Sequence, residues 1–403
     1  MTRPLYLYVT PFFPGPETWR GAYSLDFVRA LARLGPYDVR VFVPGRGPDY
    51  AVDGVRVCRF REWRLPSMMF PLLFARRNGA AFLRALRARG IAPADVAVCH
   101  ANTAPYAPYA LAVRRANPAA LALLHHHFLD SYGLALGRAL RRCCLHKLLH
   151  YFLFRSIHAR LDGHVFVSEA ARRAFLAVPD ASWTDWPDYR RQMRGLAWCP
   201  SPTVRATCVL RNGVDTDRFT PDGRIPHAGL VIGCVANLTE QKDPLTLLRA
   251  LDLARDDLGD WRLRLIGTGP LLRACRDFVR ERGLGDRVAF EAERDHDALP
   301  AFFRALDLFV LPSRFESFGC VCAEAAACGT PFVVCRGAGA AELLPPEDRD
   351  HWLVPPHDPA ALAEALRRFA HERPTQRLAL PLSFDATLPP FLRWLDTLPK
   401  ARP

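Results

Sequence analysis

The chain has 403 residues, half of them hydrophobic and 24% charged, with a formal net charge of +13. That length and apolar content exclude a disordered segment or a minimal disulfide-stapled module, and they allow two domains with separate cores. The positive balance points to an anionic partner (a nucleotide, an acidic membrane surface or a nucleic acid) without choosing among them.

The opening Pro4–Thr10 run is short, apolar and ended by Pro11, so it reads as a buried first strand rather than a leader. No apolar run approaches the roughly 20 residues of a membrane span. Further strands are expected at Asp38–Val43, Val96–His100, Leu121–Leu124, Gly163–Val167 and Thr207–Leu210. The second half predicts them at Val231–Ala236, Arg262–Gly267, Val288–Phe290, Leu308–Leu311 and Phe332–Cys335. Between them, helical periodicity covers Tyr23–Leu34, Gly79–Arg89, Glu169–Ala177, Pro244–Ala254, Leu271–Arg282, Asp297–Leu306 and Pro359–Phe369. Alternation of this kind implies parallel sheets with crossover helices, an α/β chain of doubly wound domains with ligands at the carboxyl ends of the strands. The polar, turn-rich segment Asp217 to Gly223 marks a boundary. We therefore expect domains over 1–218 and 219–380, and a tail helix within 381–403 packing back toward the first. Residues 179–202 are rich in Trp, Pro and Arg without a period and read as an insertion. The twelve cysteines include no Cys-x-x-Cys pair and several lie in apolar runs, which fits reduced thiols in a cytoplasmic setting.

The residues with chemical character sit mostly after predicted strands. A short helix from Phe318 to about Cys328, closed by Gly329, carries Glu324 among Cys320, Val321, Ala327 and Cys328. An ionised carboxylate on an apolar face costs several kcal/mol without a partner, so a partner such as a polar ligand is expected. Lys242 precedes a helix opened by Pro244 with Asp243 as its N-cap, a cation beside free amides and a seat for phosphate. The loop Ile266-Gly267-Thr268-Gly269-Pro270 is too short for a dinucleotide fingerprint, but its glycines permit close backbone approach. Gly21 stands at the start of the first helix. His125, His126 and His127 follow a strand, where alternation lets at most His125 and His127 share a face. A metal there needs a third ligand that no spacing marks.

These pieces together resemble the retaining glycosyltransferases of the GT-B fold, family 4. The matching motifs run in order: Asn212-Gly213-Val214-Asp215, Lys242, Gly267-Thr268-Gly269-Pro270, Phe309 to Ser313, Glu316 to Glu324, and Cys328-Gly329-Thr330-Pro331. The first half matches through its glycine loop, the histidine after a central strand and Val165-Phe166-Val167-Ser168-Glu169. The resemblance implies two Rossmann-like domains facing across a cleft and transfer of a sugar from a nucleoside diphosphate sugar to a glycan or lipid-linked acceptor, in cell-surface polysaccharide or glycolipid synthesis. It implies that Lys242 holds the diphosphate, Glu324 the ribose hydroxyls and Glu316 the donor sugar. Ser317, Phe318 and Gly319 would support sugar and phosphate, with Gly267 and Gly269 in the donor loop and Gly21 over the diphosphate. His126 is the expected sugar-side histidine, with His125 and His127 as acceptor-side candidates. No metal cofactor is expected, because a lysine and helix N-termini stabilise the leaving diphosphate in its place.

Two positions depart from the family pattern. Asn237 stands where an arginine is usual, with Arg20, Arg294 and Arg336 as candidate substitutes, and Gly21-Ala22 replaces a glycine pair. Asp215-Thr216-Asp217 has a manganese-binding appearance, but its turn setting favours a structural role. Arginines at 76, 77, 84, 87 and 89, and a second group from Arg138 to Arg155 interleaved with leucine and phenylalanine, suit either an anionic bilayer or an ordinary amphipathic helix. The alternatives are a catalytically silent nucleotide-sugar-binding protein, a related epimerase or phosphorylase, and a nucleic-acid binder, for which no recognition module is present.

Overall fold

The computed structural model describes residues 3–15, 21–63, 74–127, 156–176 and 203–399. The chain divides into two compact units: one holds the described residues up to Asn212 together with 384–399, the other Gly213–Ser383. The 179–202 insertion and the basic Arg138 to Arg155 stretch lie outside the described residues, as does Arg20.

The first unit is built on an eight-stranded sheet. Its strands are β1 (Leu5–Val9), β2 (Asp38–Pro44), β3 (Tyr50–Val52), β4 (Val55–Phe60), β5 (Val96–Ala101), β6 (Leu121–His126), β7 (Gly163–Phe166) and β8 (Thr207–Val209). They lie in the order β3-β4-β2-β1-β5-β6-β7-β8. All pairs are parallel except β3 with β4. That exception is a hairpin the hydrophobic pattern did not disclose, turned on Asp53 (φ 46°) and Gly54 (φ 76°). Asp-Gly with both residues left-handed is a favoured two-residue hairpin turn. The helix Ala107–Ala116 was also unforeseen: Ala107 to Val113 are all buried, so no polar stripe betrays its period.

Apolar clusters cover both faces of this sheet. Leu7, Val9, Phe42 and Phe82 belong to one; Tyr6, Tyr8, Val41, Phe27 and Phe391 belong to the other. Phe391 comes from the last helix, Phe384–Thr397, which lies against helix Ala22–Leu34, with Phe27 and Phe391 ring centres 6.3 Å apart. Trp394 fills the space above Gly163, where a Cβ would fall 2.5 Å from its ring.

The second unit holds β9 (Leu230–Val235), β10 (Trp261–Ile266), β11 (Val288–Glu291), β12 (Leu308–Leu311), β13 (Phe332–Cys335) and β14 (Leu353–Val354). Their order is β11-β10-β9-β12-β13-β14, all parallel. Numbered within the unit this is 3-2-1-4-5-6, the dinucleotide-fold order, whose switch point falls between β9 and β12. Gly233 of β9 makes room for Leu306, which lies just before β12: a Cβ there would sit 2.1 Å from the Leu306 side chain. The predicted helix Asp297–Leu306 is in fact a 3-10 turn, His296–Ala298, followed by a helix over Leu299–Arg304 with Pro300 in its first turn.

Candidate functional site

The loops leaving β9 and β12 flank the switch point of the second unit, and each delivers one member of a partly buried ion pair. Lys242, after β9, forms an ion pair with Glu316, after β12. Their side chains are only 23% and 13% exposed. The backbone holds both loops: Arg314 N–H donates to the Gln241 carbonyl (2.8 Å), Gln241 Nε2 to the Phe315 carbonyl (3.1 Å), and Gly339 N–H to the Glu316 carbonyl (3.0 Å). Burial alone would lower the Lys242 pKa, but the charge and hydrogen bond of Glu316 outweigh it and raise it. Ser317 and Phe318 are buried beside the pair. Gly319 then turns the chain at φ 94° into the helix Cys320–Ala327, whose first N–H groups have no intrahelical acceptor.

Glu324 lies inside that helix, 8% exposed. Its Oε1 accepts from His296 Nε2 at 3.0 Å. Its Oε2 is buried with no hydrogen-bond partner among the described residues. The partner that the apolar helix face demanded is thus half supplied by the protein. His296 escaped sequence reasoning because the pairing spans 28 positions and follows no local spacing. A buried, unsatisfied carboxylate oxygen carries a desolvation penalty of about 1–3 kcal/mol or more, and a ligand hydroxyl would relieve it.

Gly267 and Gly269 line the loop after β10, at φ 141° and 154°. A Cβ at Gly267 would lie 2.0 Å from the Ala236 carbonyl oxygen, and one at Gly269 would lie 2.5 Å from that of Leu238. Leu238 N–H donates to the Thr268 carbonyl and Leu271 N–H to that of Leu238. These glycines therefore hold the β10 loop flat against the β9 loop that carries Lys242.

Asp243 does not act as a side-chain N-cap. It stands at the cap position of helix Pro244–Ala254 in the left-handed region (φ 48°) and makes no side-chain cap bond. Its carboxylate instead accepts from Arg314 Nε (2.9 Å) and His357 Nδ1 (2.6 Å). Burial pushes its pKa up, and these two donors overcome that and hold it low. Arg314 and His357 were both missed in the sequence. Of the candidate substitutes for the missing arginine, Arg294 is paired with Glu291 and Arg336 with Asp350. Neither charge is unmatched.

In the first unit, Gly21 caps helix Ala22–Leu34 at φ 88°. A Cβ there would press on Phe12 at 3.2 Å. The three histidines at the end of β6 divide as alternation requires. His127, still partly exposed, packs on Tyr23, two residues from Gly21, at 4.8 Å between ring centres. His125 is buried between His127 (4.0 Å) and His100 (5.2 Å, stacked). His126, the expected sugar-side residue, points the opposite way. It is 1% exposed and lies against Phe166, Phe175, His158 and His164. The expectation for His126 is corrected on that ground: the residue facing the Gly21 helix with some solvent contact is His127. Burial lowers all three pKa values, that of His127 to about 3, so each ring is neutral.

Comparison with known proteins places these observations. The family model described as Glycosyltransferase Family 4 matches residues 21–184, and that described as Glycosyl transferases group 1 matches 229–372. The chain is 34% identical over 181 residues to a D-inositol 3-phosphate glycosyltransferase of Corynebacterium jeikeium, covering 40% of this chain and 43% of that protein. It is 28% identical over 361 residues to a GDP-mannose-dependent alpha-(1-6)-phosphatidylinositol monomannoside mannosyltransferase of Mycobacterium tuberculosis, covering 84% and 82%. The first of these matches thus spans less than half the length of its relative. Among solved structures, sucrose-phosphate synthase from Thermosynechococcus elongatus superposes with a TM-score of 0.72 at 19% identity, over 97% of this chain and 99% of that one. Two parallel-sheet α/β units with such neighbours make a GT-B fold, and the chain belongs to the group 1 glycosyltransferases of family 4.

Proposed function

We propose that this chain transfers a sugar from a nucleoside diphosphate sugar to a glycan or lipid-linked acceptor, with retention of anomeric configuration and with no metal at the diphosphate. The observation that carries the reading is the pairing at the second unit's switch point: a lysine held by Glu316 beside a helix carboxylate, Glu324, with one buried oxygen unsatisfied. In this reading the ribose hydroxyls donate to Glu324, replacing lost water with charge-assisted hydrogen bonds. The diphosphate draws Lys242 from Glu316, and Glu316 then accepts from the hydroxyls of the donor sugar. As the glycosidic bond breaks, negative charge grows on the diphosphate, and Lys242 with the N-terminus of helix Cys320–Ala327 would stabilise it without a divalent ion. His127, a neutral imidazole, is suited to hydrogen-bond the sugar or acceptor. The mannosyltransferase relatives make GDP-mannose the first donor to try, and a phospholipid-linked sugar the first acceptor. No helix among the described residues is long and apolar enough to cross a membrane, so such an acceptor would be met at a bilayer surface.

The test is a thermal-shift panel of UDP, GDP, ADP and their sugars on wild type and Glu324→Ala, with and without EDTA. Ligand binding to the folded state raises the melting temperature by mass action. One nucleotide family stabilising wild type but not the variant, by the same increment with and without EDTA, is expected. Manganese-dependent binding would overturn the metal-free reading, and binding without turnover of any donor would favour a silent nucleotide-sugar-binding protein.

A further inference from the structure

We propose that His126, His158 and His164 form a buried binding site for a single divalent transition ion of the zinc class, separate from the donor chemistry. The topology assembles the three rings. His126 ends β6 and His164 is the second residue of β7; the register pairs His126 with Phe166 and Leu124 with His164. Residues 126 and 164 are therefore diagonal neighbours on one face of the sheet. His158 is supplied by the helical turn that precedes β7.

One ring nitrogen from each residue lies within 4.8 Å of the others, and all three side chains are buried. The spacing of the rings is more telling. Ring centres are 5.4 Å apart for His126 and His164, 5.1 Å for His158 and His164, and 5.6 Å for His126 and His158. With zinc–nitrogen bonds of about 2.0–2.1 Å, an imidazole centre stands about 3.1 Å from the metal, and tetrahedral angles then separate ring centres by about 5.1 Å. The ring centres thus stand near the spacing that an ion would set, and the nitrogens, within 4.8 Å of one another, would close to about 3.3 Å by rotation of the rings.

The outer contact of His164 fits as well. His164 Nε2 donates to the His158 carbonyl oxygen at 3.2 Å, which leaves Nδ1 as the unprotonated nitrogen turned to the cluster. A backbone carbonyl fixing the tautomer of a ligating histidine is the usual support for such a site. His126 Nε2 at present donates to that Nδ1, at 3.1 Å. Ion binding would replace this hydrogen bond, with His126 moving its proton to Nδ1. Phe166 and Phe175 wall the cluster, their ring centres 4.4 and 4.5 Å from that of His126. Burial keeps all three imidazoles neutral, the ligating form, at ordinary pH. Three nitrogens and no oxygen donor in the set select zinc, cobalt or nickel over magnesium or calcium. Residues 127–157 run between two of the ligands, so a bound ion would tie the end of β6, including His127, to the turn where the chain re-enters the sheet.

The test uses the whole chain, stripped with chelator and dialysed, then titrated with Zn²⁺ or Co²⁺. Bound metal is read by mass spectrometry and by the visible ligand-field band of tetrahedral cobalt. Wild type is expected to take up one ion per chain and to melt a few degrees higher. His158→Gln and His164→Gln are each expected to lose affinity by at least the roughly 10–100-fold that loss of an outer partner costs, while His125→Gln, on the opposite face, retains it. Far-UV circular dichroism and the metal-free melting curve, measured in parallel, show that each variant is folded, and nucleotide-induced stabilisation is indifferent to the ion, so failure of the donor-site reading and failure of this one are told apart. No stoichiometric ion in wild type, or an ion retained by both variants, overturns the proposal.

Discussion

In residues 213–383 the half-buried and buried ionisable groups stand in matched sets: Lys242 with Glu316, Glu324 with His296, Asp243 with Arg314 and His357. In the other unit five imidazoles, His100, His125, His126, His158 and His164, are all within 1% of full burial, beside buried tyrosines and cysteines and the carboxylate of Asp162, which is paired with Arg114. For these rings burial, not pairing, sets the protonation state, and it pushes His100 to about 3 and His164 to about 4. The contrast separates two uses of a polar side chain at the end of a strand. A paired charge can exchange its partner for a ligand's charge at little desolvation cost, since the site is already polar. A neutral ring can fill a core, offer one hydrogen bond or ligate a metal, but it brings no charge to a diphosphate. In the proposed reading, charge stabilisation would therefore belong to the second unit.

Replacing Lys242 is the strongest test of that division. Lys242→Met is expected to lower kcat/KM for transfer by about 10²–10³-fold, the usual effect of deleting a preorganised group that meets developing charge. The same variant leaves Glu316 without its cation, so binding of a nucleoside diphosphate alone should weaken too. A loss below tenfold would mean that the contrast is drawn in the wrong place, and that another cation, such as Arg314, carries the phosphate. The pH profile near neutrality should not report Lys242. Its folded pKa is raised, so its pairing is fully present below the unfolded value of about 10.5 and is lost only at higher pH.

The imidazole-rich unit should give way first in acid. A histidine whose folded pKa is depressed binds more protons when unfolded, so stability is complete above about pH 6.5 and falls as the pH drops toward the folded value. Each such group contributes a slope of about 1.4 kcal/mol per pH unit, and several titrate together here. In the other unit Asp243 has a lowered pKa, and its contribution is lost only well below about pH 4. Melting followed from pH 7 to 5 should therefore lose an early transition while the nucleotide-stabilised one persists. Both transitions moving together would erase the distinction.

The same difference explains how much could be read from the sequence. Nearly every strand of the second unit, and the placing of Lys242, Glu316 and Glu324, was legible, because short apolar runs end in loops whose chemical residues lie close in sequence to the strand. What was missed there, His296, Arg314 and His357, acts through contacts 28, 71 and 114 positions apart, and no local pattern encodes those. In the first unit, alternation correctly divided the histidine triplet, but it could not say which face belonged to the Gly21 helix. That depends on Tyr23 and on the helix Phe384–Thr397 covering Phe27, more than 200 residues away along the chain. The hairpin at Asp53-Gly54 was a legible signal passed over, since its flanking strand Tyr50–Val52 has only three residues.

A smaller effect is expected at the acid of the switch-point pair. Glu316→Gln removes the competitor for Lys242 while preserving shape and hydrogen bonding. A nucleoside diphosphate should then bind a few-fold more tightly, in line with the modest worth of a partly exposed ion pair. Transfer should slow, because the neutral amide accepts less strongly from the sugar hydroxyls. Opposite signs in the two measurements would show that Glu316 serves both as a placeholder and as a sugar contact. Weaker binding together with slower transfer would make it a purely structural support.

The finest test concerns His357, which holds Asp243 from a left-handed backbone position, φ 61°. A non-glycine residue there carries strain of about 1 kcal/mol or more, and its bond to a buried carboxylate returns a similar amount. His357→Ala keeps the strain and loses the bond, so the unit should be destabilised by about 1–2 kcal/mol. His357→Gly loses both, and the two effects should nearly cancel. The gap between the two variants in denaturant unfolding, with nucleotide used to identify the transition of this unit, measures the strain less the added chain entropy of glycine, about 0.4–1 kcal/mol. If the glycine variant is no more stable than the alanine one, the strain at 357 does not exceed that entropy. If His357→Ala is as stable as wild type, the bond to Asp243 is an incidental contact rather than part of the paired-charge scheme that sets this unit apart.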